Sequence, residues 1–246
     1  MKRILIALIL TVCLSSINLF ARDIYRGDIQ IQGGFGAESY KFATTVNSIS
    51  STTTADTFGF AYDITMHHLW FFTNMFGLGF FGDLKFQGGQ TTSMESKSKL
   101  LSSTVPKDEL DSSYSFNFAI GPTFAVQFNN IVRLNASTGI SMIGAASYFS
   151  YKDTTNNRQI KVKPSDITCY YLNIQGQFLP NKRVSPVAGY RLISGTSNNG
   201  FYWSGQGYAG GDKYYKGETT YTSNDFYAGV TINWITSFVP LRCNRL

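Results

Sequence analysis

The chain has 246 residues and a formal net charge of +6, with 15% charged residues, 20 Phe, 15 Tyr and 23 Gly. Its basic residues are scattered, which argues against nucleic-acid binding. No stretch beyond the opening segment holds 18 uncharged apolar residues in a row, which excludes helical spans, while aromatic and glycine enrichment with few charges points to strands.

The opening MKRILIALILTVCLSSINLFARD carries Lys2 and Arg3, a compact apolar run from Ile4 to Leu14, and the small residue Ala21 before Arg22. This pattern is that of a secretory signal peptide over residues 1–21, leaving 22–246 as a single domain. The apolar run is too short for a membrane anchor. A lipoprotein reading through Cys13 lacks the small preceding residue, since Val12 stands there. Beyond this segment only Cys169 and Cys243 remain, too few for a disulfide framework.

Period-two alternation then recurs down the chain, the geometry of strands. Ile29 to Ala37 form the first strand and Thr57 to Ile64 the second. Leu78 to Gln87 and Tyr114 to Phe128 follow, then Ile131 to Ser150 and Thr168 to Phe178. Ala188 to Ile193 and Phe226 to Trp234 complete eight. Polar segments 38–54, 88–112, about 150–166 and 194–224 alternate with short turns at Asn129-Asn130 and Pro180-Asn181-Lys182. The segment 66–75 is longer and apolar, and either extends its flanking strands or wraps the end of the sheet. In an up-and-down sheet all four long links fall at one end.

Each strand has one broad, aromatic, uncharged face. The opposite faces carry Gly, Ser, Asn and Gln with few charges: Asp63, Asp83, Lys85, Arg133 and Arg191. A membrane barrel turns the apolar face outward and keeps a polar interior, and the five charged residues are then expected to pair inside it. Lipid also demands that the ring be closed, so the first strand should meet the last. Pro122, in mid-strand, should mark a bulge or bend. The alternative is a soluble secreted barrel that binds a lipophilic ligand, with Phe116, Phe118, Phe124 and Ile232 packed against one another inside.

With these features the chain resembles the small outer-membrane barrels, the class of the OmpA transmembrane domain, OmpX and OmpW. Its Phe- and Tyr-rich style also resembles small barrels of spirochaetes. The resemblance implies an all-β, eight-stranded antiparallel up-and-down transmembrane barrel with four long extracellular loops, in the bacterial outer membrane, with periplasmic termini. It implies a monomeric structural protein, or a narrow path for small hydrophobic solutes. Members of the class often end in an aromatic residue, whereas this chain ends FVPLRCNRL, with Phe238 eight residues earlier. An eight-stranded barrel has no room for a wide aqueous pore.

Chemistry-bearing residues are few. His67 and His68 are adjacent and face opposite ways on a strand, with no serine and acid at a convincing spacing, so neither catalysis, a metal site nor a cofactor is expected. Cys169 lies at the long-link end and Cys243 at the other, about 30 Å apart across a membrane, so they are not expected to pair. The link 194–224 carries Phe201, Tyr202, Trp203, Tyr208, Tyr214 and Tyr215, rings suited to contact with a host surface protein or sugar, or to capping the barrel mouth. The basic link, with Lys152, Arg158, Lys161 and Lys163 against Asp153 and Asp166, could meet lipid headgroups.

Overall fold

The computed structural model describes residues 24–46, 49–73, 75–98, 102–128, 130–144, 146–154, 158–205 and 212–237. The expected signal peptide, Tyr208, Phe238 and Cys243 lie outside them. Eight strands close a ring: β1 (Ile24–Val46), β2 (Ile49–Phe71), β3 (Phe76–Ser98), β5 (Leu110–Phe128), β6 (Val132–Ile143), β9 (Ile167–Phe178), β10 (Val184–Ser197) and β13 (Gly217–Ser237). Every neighbouring pair is antiparallel, and β13 lies against β1 from Ile24↔Ser237 to Thr44↔Gly217. The first strand therefore meets the last, and the architecture is an all-β up-and-down barrel.

Alternation decides which way each side chain points. Ile31, Phe35, Tyr62, Phe80, Phe118, Ile120, Phe124, Ile174, Phe226 and Ile232 are exposed on the outside. Gln30, Asp63, Lys85, Asn117, Asn135, Asn173 and Thr231 are buried within the ring. The outward face is uncharged from Tyr25 to Ala37 on β1, from Phe58 to Trp70 on β2 and from Phe76 to Gly88 on β3, apart from the imidazole of His68. A soluble barrel with an apolar interior needs the reverse, so the lipophilic-ligand reading does not fit these faces.

The polar links are not long loops. The segment expected as a loop at 38–54 is a hairpin, β1 continuing to Val46 and β2 starting at Ile49. Likewise β3 runs on to Ser98, pairs with β4 (Ser102–Thr104), and gives way to β5 at Leu110. β7 (Tyr148–Asp153) and β8 (Arg158–Pro164) form a third hairpin, and β11 (Phe201–Gly205) with β12 (Lys213–Tyr215) a fourth that pairs with β8. Ser and Thr supply no apolar alternation to read, yet ladder partners satisfy their backbones in water as well as in an apolar phase. The apolar segment 66–75 resolves the same way: β2 extends to Phe71 and β3 begins at Phe76.

Pro122 makes no bulge. It stays opposite Phe80 on β3, and the β5–β6 ladder skips Gly121 and Pro122, then resumes in the same register from Ile120↔Ile140 to Thr123↔Ser137. Gly121 and Gly139 permit this, because a Cβ at Gly121 would stand 2.2 Å from the Thr138 carbonyl oxygen. The register shift on β3 lies instead between Asp56 and Thr57 of its partner, where the sheet leaves the outward apolar belt.

Above that belt the barrel fills with apolar side chains. Tyr40, Phe42, Phe149, Phe201 and Tyr221 pack as rings, Phe42 and Phe201 with centroids 4.7 Å apart. Met94, Val162, Ile167, Cys169 and Ile193 belong to the same cluster, which reaches down to Phe81, Ala119 and Tyr171. The extended end is thus plugged by its own core, while the belt level is polar inside.

Candidate functional site

The interior charges are supplied by strands on opposite walls. Asp63 and Lys85 stand directly opposite each other in the β2–β3 register. Each nevertheless forms its ion pair with a residue across the lumen, because inward side chains of a narrow ring reach the far wall. Asp63 binds Arg191 of β10 at 3.0 Å. Lys85 binds Asp225 of β13 at 2.8 Å and lies 3.5 Å from Glu38 of β1. Arg191 also lies 3.5 Å from Asp83 and 3.8 Å from Asp225, with its guanidinium 5.0 Å from the Tyr227 ring centroid.

A second cluster sits toward the short-turn end. Arg133 of β6 pairs with Asp28 of β1 and also donates to Gln177. His67 Nδ1 lies 2.9 Å from the other Asp28 oxygen. His68 faces outward beside Tyr25, so the two histidines diverge as their adjacency requires.

The structure thus brings Asp63, Asp83 and Arg191 together, and sets Lys85 and Arg133 on other partners. The buried Asp, Glu, Lys and Arg side chains among the described residues are five carboxylates (Asp28, Glu38, Asp63, Asp83, Asp225) and three basic groups, Lys85, Arg133 and Arg191. Hydroxyl donors make up the difference at Glu38. Tyr221 Oη donates to it at 2.7 Å, Tyr40 Oη at 3.1 Å and Ser115 Oγ at 2.5 Å. At Asp83, Thr65 Oγ1 donates at 2.6 Å and Tyr171 Oη at 3.1 Å. A buried carboxylate held this way avoids the large cost of an unpaired charge.

Sequence reasoning missed Asp28, Glu38 and Asp225. The expected strands stop at Ile29, Ala37 and Phe226, one residue short of each. Continued parity was the available signal, since Asp28 and Glu38 share the face of Gln30 and Gln32.

Among the ring candidates of segment 194–224, Phe201 is only 3% exposed and belongs to the apolar plug. Its candidacy as a contact residue is corrected: strand parity in β11 sends it inward. Trp203 and Tyr215 pack against the same cluster. Tyr202 and Tyr214 face outward, with centroids 5.1 Å apart. Cys169 is buried in the plug as a free thiol.

No protein-family model matches the chain, and no curated protein does. Several solved structures are similar to it. Outer membrane protease OmpT from Escherichia coli matches with a TM-score of 0.51 at 8% identity, over 87% of this chain and 98% of that one. Outer membrane protein OprG from Pseudomonas aeruginosa gives 0.44 at 11% identity, over 85% and 96%. The attachment invasion locus protein Ail of Yersinia pestis gives 0.38 at 12% identity, over 84% and 99%.

Proposed function

We propose that the protein is an outer-membrane barrel with a closed interior, a membrane-embedded scaffold that carries a rigid β-structured rim. The uncharged outward belt supports residence in lipid, where such strands present apolar side chains. The fold likeness to an outer membrane protein fits that placement. One observation carries the closed interior. The eight ionic side chains that meet inside the ring, Asp28, Glu38, Asp63, Asp83, Lys85, Arg133, Arg191 and Asp225, are each at most 3% exposed. A water-filled path would wet them, and a solute moving along the axis would have to break their pairs. The apolar plug closes the extended end a second time.

Transport through the axis therefore has less support than a structural role. A surface-contact role is favoured by a specific observation, the outward pair Tyr202 and Tyr214 on the rim. Catalysis is not part of the reading: His67 is wholly buried between Asp28 and Phe81, out of reach of a substrate. Planar-bilayer recording tests the proposal. The refolded full chain should insert and migrate differently on a gel before and after heating, yet give no stepwise conductance. Sustained unitary steps from the wild-type protein would overturn the closed interior, and recovery as a water-soluble monomer would overturn the membrane reading.

A further inference from the structure

The outward wall carries two cavities that share one segment of chain. The larger, about 600 Å³, lies on the barrel wall and is lined by Ile140, Thr168, Tyr170, Ser194 and Thr196. It sits at the top of the apolar belt, where Tyr170 is 84% exposed and Met142 faces out beside Thr168. The smaller, about 360 Å³, is lined by Lys163, Pro164, Ser165, Asp166, Tyr202 and Asp212. Residues 163–166 line the polar pocket and 168–170 the wall groove, so one short run of chain joins the two. Both volumes fall in the range of small-molecule sites, roughly 300–1,000 Å³.

The polar pocket holds both signs of charge. Lys163 Nζ lies 3.3 Å from Asp212, and the exposed Asp166 lines the same pocket. Lys161, next along the outward face of β8, stands over the Tyr148 ring at 4.7 Å. A purely anionic group would meet two carboxylates around one ammonium. A group carrying a phosphate and an ammonium satisfies both.

We propose that this site holds one zwitterionic phospholipid. Its phosphate sits on Lys163, its ammonium lies against Asp166 and Asp212 beside the Tyr202 ring, and one acyl chain follows the groove along Thr168 and Tyr170. The position fits, because headgroups lie where a barrel's apolar belt gives way to aromatic and basic side chains. The inference rests on the membrane reading above.

Native mass spectrometry tests it on the full chain, extracted in mild detergent from bilayers of equal parts phosphatidylethanolamine and phosphatidylglycerol. The wild type should retain one phosphatidylethanolamine per chain in preference to phosphatidylglycerol. Lys163→Glu should lower that retention roughly tenfold, the scale of a lost charge-assisted hydrogen bond. Thr168→Trp, which fills the groove and leaves the polar pocket intact, should lower it as well. Heat-dependent gel migration reports that both variants fold. Retention equal to wild type in both folded variants, or phosphatidylglycerol held as well as phosphatidylethanolamine, overturns the site and leaves the barrel reading standing. A wild-type protein recovered outside the bilayer fraction overturns both.

Discussion

Arg191 gathers three carboxylates of two neighbouring strands and the closing one: Asp63, Asp83 and Asp225 all lie within 4 Å of its guanidinium. Neutralising it strands buried negative charge. Arg191→Met should therefore cost about 3–5 kcal/mol, measured as a lower urea midpoint for unfolding from bilayers. Adding Asp63→Asn to that variant should recover part of the loss, because the uncompensated charge is then smaller. Additive losses in such a double-mutant cycle would argue against direct coupling. The same residues show how far a sequence can be read. Periodicity put all five named charges on the inward face, but not in pairs. Register makes Asp63 and Lys85 neighbours, while the width of the lumen decides that each reaches past the other.

At the level of single strands, the outward belt and the plug make opposite demands. Ile31 lies outward in mid-belt, with Gly33 and Phe35 above it. Ile31→Arg should destabilise the folded barrel by about 2–4 kcal/mol in a bilayer. Lys41→Glu, beyond the belt on the same face, should stay within about 0.5 kcal/mol. Both are read from unfolding titrations in the same lipid. In the plug, Phe149 is wholly buried against Tyr40 and Phe42. Phe149→Ala should cost about 3–5 kcal/mol and speed amide exchange in β7 and β8 more than in β6, seen by hydrogen exchange with mass spectrometry. The belt was legible because apolar and polar residues alternate without a break. The hairpins above it were not, because Ser and Thr fill both faces of 50–54. The few inward signals, such as Tyr40 and Phe42, read as isolated aromatics in a loop. Of the two readings of Phe201, contact or capping the mouth, its burial fits the second, and an unseen strand offered no parity to choose between them.

For the molecule as a whole, the eight-membered ring followed from counting alternating faces, and its two ends followed from link lengths. What counting could not supply was how the space inside is filled. Ionic side chains occupy the belt level and rings the extended end, so the barrel is solid at two heights for different physical reasons. On the reading proposed above, an ionic interior would keep its members apart from lipid, and an aromatic one would close the mouth against water. The seam between β1 and β13 adds a demand on biogenesis. Each backbone donor along that edge finds its partner only when the closing strand arrives. A chain halted before β13 would expose two raw edges, on β1 and on β10, both prone to pair with whatever strand comes near. The ring thus has no free edge only once its final strand is in place, and any shorter product carries two.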